Sequence, residues 1–189
     1  FRFEAEDVVS LKKIRPRPEF SVPEGFEVEC IWTDSASIFT RLGIDDSNVY
    51  FGNSTGFVRA VDKRSGLLRR SADAGAPLYG RPVPLVDKVA VPTHDGIMFV
   101  DKASGRLCRR EPSEYSPFVA DGLASVADGW YVQGGYKGIE RRDVSDGSLV
   151  WRYDSIFNYC QASPTVADDD VFFGAWDTNL RCLDLATGA

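Results

Sequence analysis

The sequence contains few of the side chains that usually carry catalysis or bind metals. Its 189 residues include one histidine, one methionine and four cysteines. A histidine-based zinc site or a Ser-His-Asp triad would depend on His94 alone, which lies in the turn "PTHDG". We therefore expect His94 to be an exposed turn residue. We expect no catalytic, cofactor-binding or metal-binding residues in this chain.

The cysteines lack the spacing of a metal site. No two are adjacent, and none forms a Cys-x-x-Cys pair, which excludes a local zinc knuckle. We predict buried, free thiols at Cys30, Cys108, Cys160 and Cys182. A disulfide between Cys160 and Cys182 stays open as an alternative, because both should lie in the same repeat.

Long apolar runs and an excess of positive charge are also missing. No apolar stretch approaches the roughly 18 residues needed to span a bilayer, and the net charge of −6 argues against a nucleic-acid partner. Only "EDVVSLKKI" (6–14) could form one or two helical turns. Because the chain begins with Phe1, we expect a processed form or a fragment, so the lack of a signal peptide excludes no compartment.

One phrase occurs four times: a short apolar run, an aspartate, and a glycine four residues later. The copies are "RAVDKRSGLL", "MFVDKASGRL", "ERRDVSDGSL" and "RCLDLATGA". Their aspartates are Asp62, Asp101, Asp143 and Asp184, and their glycines are Gly66, Gly105, Gly147 and Gly188. A repeat of about 40 residues is typical of solenoids, propellers and other arrays.

Within each repeat, short segments rich in Val, Tyr, Phe and Ile alternate with Gly, Asp, Asn, Ser and Pro, which is typical of strands and turns. One four-stranded sheet cannot bury both of its faces, so such units pack around a common axis. The sequence therefore predicts an all-β protein: a β-propeller with about four blades, each of four antiparallel strands. The third strands should end at the four aspartates. The expected boundaries are an N-terminal segment, 1–34, with one orphan strand at about 28–33, and repeats at about 35–71, 80–110, 122–153 and 162–189.

The stretches "DVSDGSLVWR" (143–152) and "ASPTVADDDVFFGAWD" (162–177) carry a family resemblance. They resemble the repeat of pyrroloquinoline-quinone-type, or quinoprotein-like, β-propellers, and the resemblance extends over about 35–189. It implies that Trp151 packs between blades. Blades 1 and 2 have Arg70 and Arg109 at that position, so packing there should be weaker or rebuilt around arginine stems. The resemblance also favours an extracytoplasmic location.

The resemblance is weaker for function than for fold. The quinone-dependent dehydrogenases that this family includes share a pair of adjacent cysteines, which this chain lacks. The aspartates of this chain fall in turns, where capping of the backbone explains them without a metal or quinone site. We expect no quinone and no other cofactor. The favoured function is a non-catalytic binding, scaffold or sensor module, and the alternative is a fragment of a larger quinone-dependent oxidoreductase. The run "ERR" (140–142) is expected to be a solvated strand face.

The candidate binding rim is formed by the connections between blades, because propellers present variable loops on a rigid scaffold. Aromatic residues in these connections are Tyr79, Tyr115, Phe118, Phe157 and Tyr159. Arg41 and Arg81 precede the inner strands of blades 1 and 2, where they are either an anion-binding pair or two solvated arginines. The expected partner is a protein or a small-molecule ligand at this rim.

The fourth blade lacks its fourth strand, and an open edge invites association. The segment "FEVECIWTDS" (26–35) reads as a fourth strand without its first three. Three arrangements stay open: closure within one chain, self-association in which each chain completes its partner, or a chain cut from a longer propeller.

Overall fold

The computed structural model describes residues 34–112, 125–127, 129–160 and 162–189, all within one compact unit that spans Trp32–Ala189. The described residues form fifteen β-strands in four antiparallel sheets and no helix, which confirms the all-β prediction. The proposed helical turns at 6–14 and the orphan strand at 28–33 lie outside the described residues. Among those described, no helix has the length and apolar character to cross a membrane.

Each sheet is one blade, and its strands follow one another in chain order. Blade 1 consists of β1 (Gly43–Ile44), β2 (Asn48–Gly52), β3 (Phe57–Asp62) and β4 (Leu68–Asp73). Blade 2 consists of β5 (Val83–Pro84), β6 (Lys88–Thr93), β7 (Gly96–Asp101) and β8 (Leu107–Pro112). Blade 3 consists of β9 (Ser125–Ala127), β10 (Trp130–Gly134), β11 (Ile139–Asp143) and β12 (Leu149–Tyr153). Blade 4 has three strands, β13 (Thr165–Ala167), β14 (Asp170–Gly174) and β15 (Leu180–Asp184). The four third strands end at the repeated aspartates, as predicted.

The repeated aspartate and glycine form the same turn after each third strand. The glycine amide donates to the aspartate carbonyl at 2.8 to 3.0 Å in all four blades. The aspartate carboxylate accepts a hydrogen bond from a serine or threonine hydroxyl inside the turn. Each of the four glycines has a positive φ, between 69° and 78°, which glycine adopts without steric cost. The repeat is therefore explained by turn formation.

The blades pack face to face in chain order, with three apolar clusters between them. The first cluster, between blades 1 and 2, includes Tyr50, Leu78, Val91 and Met98. The second, between blades 2 and 3, includes Ala90, Phe99 and Tyr131. The third, between blades 3 and 4, includes Val132, Trp151, Val171 and Phe173. Neighbours along one strand, such as Ala90 and Val91, belong to different clusters because side chains alternate across a sheet.

Trp151 lies buried between blades 3 and 4, as predicted. Its Nε1 donates to the Leu185 carbonyl at 2.8 Å. The arginines at the matching positions make equivalent contacts to the next blade: Arg70 Nε donates to the Ala103 carbonyl at 2.6 Å, and Arg109 Nη2 donates to the Val144 carbonyl at 2.7 Å. The packing is thus rebuilt around arginine.

The prediction that "ERR" forms a solvated face is wrong. Glu140 is fully buried. Its carboxylate accepts hydrogen bonds from Arg142 Nε at 2.9 Å, Gln133 Nε2 at 3.1 Å and Arg152 Nη2 at 3.3 Å. Ile139 packs in the cluster towards blade 4, so Glu140 points to the opposite face, towards blade 2. A carboxylate is tolerated there because these donors offset its desolvation.

The prediction of buried cysteines is correct for one of the three that the structure describes. Cys108, Cys160 and Cys182 are all free thiols, so Cys160 and Cys182 do not pair. Cys160 is buried, and burial raises the pKa of its thiol to about 11. Cys108 and Cys182 are exposed. Cys182 alternates with the buried Leu183, and its side chain therefore points away from blade 3.

Candidate functional site

One end of the blade array collects two kinds of loop. The connections from each fourth strand to the next first strand lie there, together with the turns that join second and third strands. Backbone hydrogen bonds tie the two together: Leu78 N donates to Asn53 O at 3.1 Å, Lys137 N to Asn158 O at 2.8 Å, and Trp176 N to Tyr159 O at 2.9 Å. We call this surface the connection end and the other, which carries the aspartate turns, the opposite end.

A first aromatic group lies at the connection end of blades 1 and 2. The rings of Phe39 and Tyr79 stack with their centroids 5.6 Å apart and their planes within 11°, and both side chains are exposed. Their neighbours in sequence anchor them: Leu78 is buried, and the Thr40 hydroxyl accepts a hydrogen bond from Gly52 N at 2.9 Å. The backbone is therefore fixed and the rings face solvent.

A second and larger aromatic group lies at the connection end of blades 3 and 4. The Tyr159 ring sits between Tyr136, with centroids 4.9 Å apart, and Trp176, at 5.8 Å. Tyr136 is 44% exposed, Trp176 59% and Phe157 82%. The Lys137 ammonium lies 5.1 Å from the centroid of the Tyr136 ring, within cation–π range. A cation and exposed aromatic faces thus share one patch.

The second group is held rigidly. Ile156 and Cys160, which flank Phe157 and Tyr159, are buried in the cluster between blades 3 and 4. Asp177 accepts a hydrogen bond from Phe157 N at 3.3 Å and pairs with both terminal nitrogens of Arg181. That guanidinium holds the pKa of the Asp177 carboxyl well below its usual value.

Backbone strain concentrates in the same loops. Among the described residues, four other than glycine have a positive φ, and three lie here: Lys137 at 66°, Asn158 at 138° and Thr178 at 68°. Such conformations cost energy and persist only where the surroundings enforce them, often at binding sites. The aromatic rings are therefore presented by a backbone that is locked in place.

The predicted rim residues fall into three classes. Phe157 and Tyr159 belong to the second aromatic group and Tyr79 to the first. Arg41 and Arg81 are exposed, each two residues ahead of a first strand, and neither forms an ion pair among the described residues. Tyr115 and Phe118 lie outside the described residues.

Sequence reasoning missed Phe39, Tyr136 and Trp176. Tyr136 and Trp176 lie in the turns between second and third strands, "GGYKG" and "GAWDTN". In an antiparallel blade these turns point the same way as the connection to the next blade, because each strand reverses the chain. An aromatic residue inside such a turn was therefore the available signal.

Other parts of the described chain offer less. No three His, Cys, Asp or Glu side chains there are grouped as metal ligands. A cavity of about 340 Å³ at the opposite end is lined by residues that include Asp62, Arg69 and Lys102. Arg69 pairs with Asp62 at 2.8 Å and Lys102 with Asp45 at 2.6 Å, so these charges are already compensated. His94 is an exposed turn residue, as expected.

Comparison with known proteins defines the fold. No family model matches the chain, and no curated protein matches it. Among solved structures, BamB from Moraxella catarrhalis superposes with a TM-score of 0.73 at 23% identity, over 84% of this chain and 53% of BamB. The computationally designed protein Ika4 gives a TM-score of 0.72 at 19% identity, over 85% of this chain and 99% of its own. This chain thus spans about half the length of BamB, and it has the β-propeller fold.

Proposed function

We propose that this chain is a non-catalytic β-propeller module that binds another protein through its connection end. The supporting observation is the set of exposed rings held by a fixed backbone, above all Tyr136, Phe157 and Trp176. Aromatic side chains are enriched at protein interfaces, and they supply contact area at low entropic cost because they have few rotatable bonds. Scaffold and sensor roles are two forms of this binding function.

The grouping of aromatic rings favours the connection end as the binding surface over other exposed apolar positions. Leu67, Val86 and Leu107 are also exposed, but they are aliphatic side chains that lie at or beside different turns of the opposite end. Scattered surface residues of this kind are ordinary. In the second aromatic group, by contrast, the ring centroids of Tyr136 and Trp176 each lie within 6 Å of the Tyr159 ring centroid.

We further propose that the repeats are of the pyrroloquinoline-quinone type. The support is the phrase "DVSDGSLVWR" (143–152), whose Asp143, Gly147 and Trp151 form the turn and the contact between blades. In this proposal the phrase acts architecturally.

Affinity capture with two matched variants tests the binding function. One variant carries Tyr136→Ser, Phe157→Ser and Trp176→Ser. The control carries Leu67→Ser, Val86→Ser and Leu107→Ser, which removes exposed apolar groups at the opposite end. Wild type and both variants are immobilised, and extracts of the source cells are compared by quantitative mass spectrometry.

The proposal predicts a protein that wild type and control retain and that the aromatic variant loses, with circular dichroism unchanged for all three. The affinity of that protein, once purified, should fall at least about tenfold for the aromatic variant, as expected when hot-spot residues are removed. Identical capture by both variants, or loss only with the control, would contradict the proposal.

A further inference from the structure

Among the described residues, the charges at the connection end that form no ion pair are arranged by sign. First strands of neighbouring blades lie against each other at the propeller axis, where Gly43 of β1 packs on the Pro82 backbone. Arg41 and Arg81 precede these inner strands and form no ion pair among the described residues. Asp73 and Asp154 also form none: Asp73 ends the outer strand β4, and Asp154 follows the outer strand β12. The described part of this end therefore has cations near the axis, although the chain as a whole carries −6.

The second aromatic group repeats this pairing of a cation with apolar surface. Lys137 forms no ion pair among the described residues, and its ammonium lies over the Tyr136 ring. Two other charges at this end of blade 4, Asp177 and Arg181, neutralise each other through a two-point ion pair. A ligand carboxylate that pairs with Lys137 is thus brought directly beside Tyr136 and Trp176. The part of the ligand next to that carboxylate must therefore be apolar, so that it packs against the exposed rings.

We infer that the connection end binds an extended acidic peptide segment in which aspartate or glutamate stands next to an aromatic residue or proline. This inference rests on the proposed function and specifies its partner. Carboxylates pair with Arg41, Arg81 and Lys137, while adjacent rings stack on Tyr136, Phe157 and Trp176. Proline and aromatic side chains suit exposed rings because they bury area with little entropic loss.

Single-stranded nucleic acid also combines negative charge with stacking surfaces. It carries one phosphate per nucleotide, and its binding grows with the number of phosphates that cations neutralise. Three unpaired cations attract such a polymer, but the net charge of −6 on the chain opposes the approach of many phosphates. A peptide with a few carboxylates suffers less of this repulsion, and so it is the better match.

Selection from displayed random decapeptides tests the inference without assuming a sequence. Enriched peptides are synthesised with fluorescein, and Kd values are measured by anisotropy at 50 and 200 mM NaCl. Twelve-residue oligodeoxythymidine is measured in parallel. We expect enriched peptides to pair acidic residues with aromatic residues or proline and to bind more tightly than the oligonucleotide.

Charge-removing variants locate the contacts. The triple variant Arg41→Gln, Arg81→Gln, Lys137→Gln should weaken the selected peptide at least about tenfold at 50 mM NaCl. The loss should shrink at 200 mM because salt screens exposed charges. The matched control Lys63→Gln, Arg64→Gln, Arg106→Gln removes three exposed cations at the opposite end and should change Kd less than twofold.

The outcomes separate this inference from the proposed function. Enriched peptides that are neutral or basic, but still lose affinity with the Tyr136, Phe157 and Trp176 serine variant, would overturn the acidic partner and leave the binding end standing. Tighter binding of the oligonucleotide, with the same loss, would replace peptide by nucleic acid. Peptides that ignore the aromatic variant, or no enrichment at all, would contradict both proposals.

Discussion

Truncation of Trp151 measures how strongly one blade is held to the next. The indole is buried against blade 4, and its Nε1 donates to the Leu185 carbonyl. Replacing Trp151 by alanine removes a large core side chain, for which about 3 to 5 kcal/mol of stability is lost. Trp151→Phe keeps most of the apolar contact but not the donor, so it should cost less.

The arginines at the matching position should rank below Trp151 and differ from each other. Arg70 is exposed and bonds to carbonyls that water can reach, so Arg70→Ala should cost about 1 kcal/mol or less. Arg109 is half-buried: it donates to two carbonyls, pairs with Glu111 and lies 4.7 Å from the centre of the Phe99 ring. Arg109→Ala should cost about 1 to 3 kcal/mol.

Urea unfolding at 25 °C, followed by far-ultraviolet circular dichroism, gives the three free energies. We expect the order Trp151, then Arg109, then Arg70. Equal costs for Arg70→Ala and Trp151→Ala, within about 0.5 kcal/mol, would refute the assignment of one shared position to these residues.

Three further predictions follow from the turns and the thiols. Gly188→Ala should destabilise the fold more than Gly75→Ala. Both glycines have a positive φ, 74° and 78°, but a Cβ at Gly188 would meet the Trp151 ring at 2.6 Å, whereas Gly75 faces open space. The difference between the two free energies of unfolding in urea therefore measures that clash. The pKa values of Asp62, Asp101, Asp143 and Asp184 are held below the ordinary 3.8, chiefly by Arg69 at Asp62 and by turn serine or threonine at the others. These carboxylates therefore stabilise the fold above about pH 4, and the melting temperature should fall as the pH is lowered from 4 to 2. The fall should be less steep for Asp101→Asn, which lacks one of these carboxylates, than for the control Asp46→Asn. Alkylation at pH 8, read by mass spectrometry, should label Cys160 most slowly, because it is buried and burial raises the pKa of its thiol to about 11. Exposed Cys182 should react faster than Cys160 but more slowly than exposed Cys108, because partial desolvation and Asp170 raise the pKa of the Cys182 thiol; equal rates for Cys108 and Cys160 would contradict the burial of Cys160.

The architecture was largely predictable because its signal is local and repeated. Asp62, Asp101, Asp143 and Asp184 each end a third strand, since an aspartate and a glycine four residues later specify one turn whatever surrounds them. Trp151 was likewise predictable as a contact between blades, because the resemblance of "DVSDGSLVWR" to quinoprotein-like repeats implies that contact.

Burial on individual strands was less predictable because it depends on the neighbouring blade. Glu140 reads as a surface residue, yet its face of β11 meets blade 2 and is satisfied by Arg142 and Arg152. Cys182 reads as a core residue, yet its face of β15 points away from blade 3. Arg142 lies only two residues from Glu140, but whether another blade covers either face depends on residues that are distant in sequence.

Only part of the candidate site could be predicted from the sequence, for a similar reason. Phe157 and Tyr159 stand out in a long connection, whereas Tyr136 and Trp176 join them only when two turns of different blades meet. That meeting depends on how blades 3 and 4 pack, which no single repeat specifies.

Site-specific photo-crosslinking tests the central claim, that partners bind at the connection end, most directly. Benzoylphenylalanine replaces Phe157 at the connection end or Val86 at the opposite end, two highly exposed side chains. Each protein is irradiated with the captured partner, and adducts are quantified by mass spectrometry. The account predicts a strong adduct from position 157 and only background from position 86. An adduct from position 86 alone, or equal adducts from both, would contradict it.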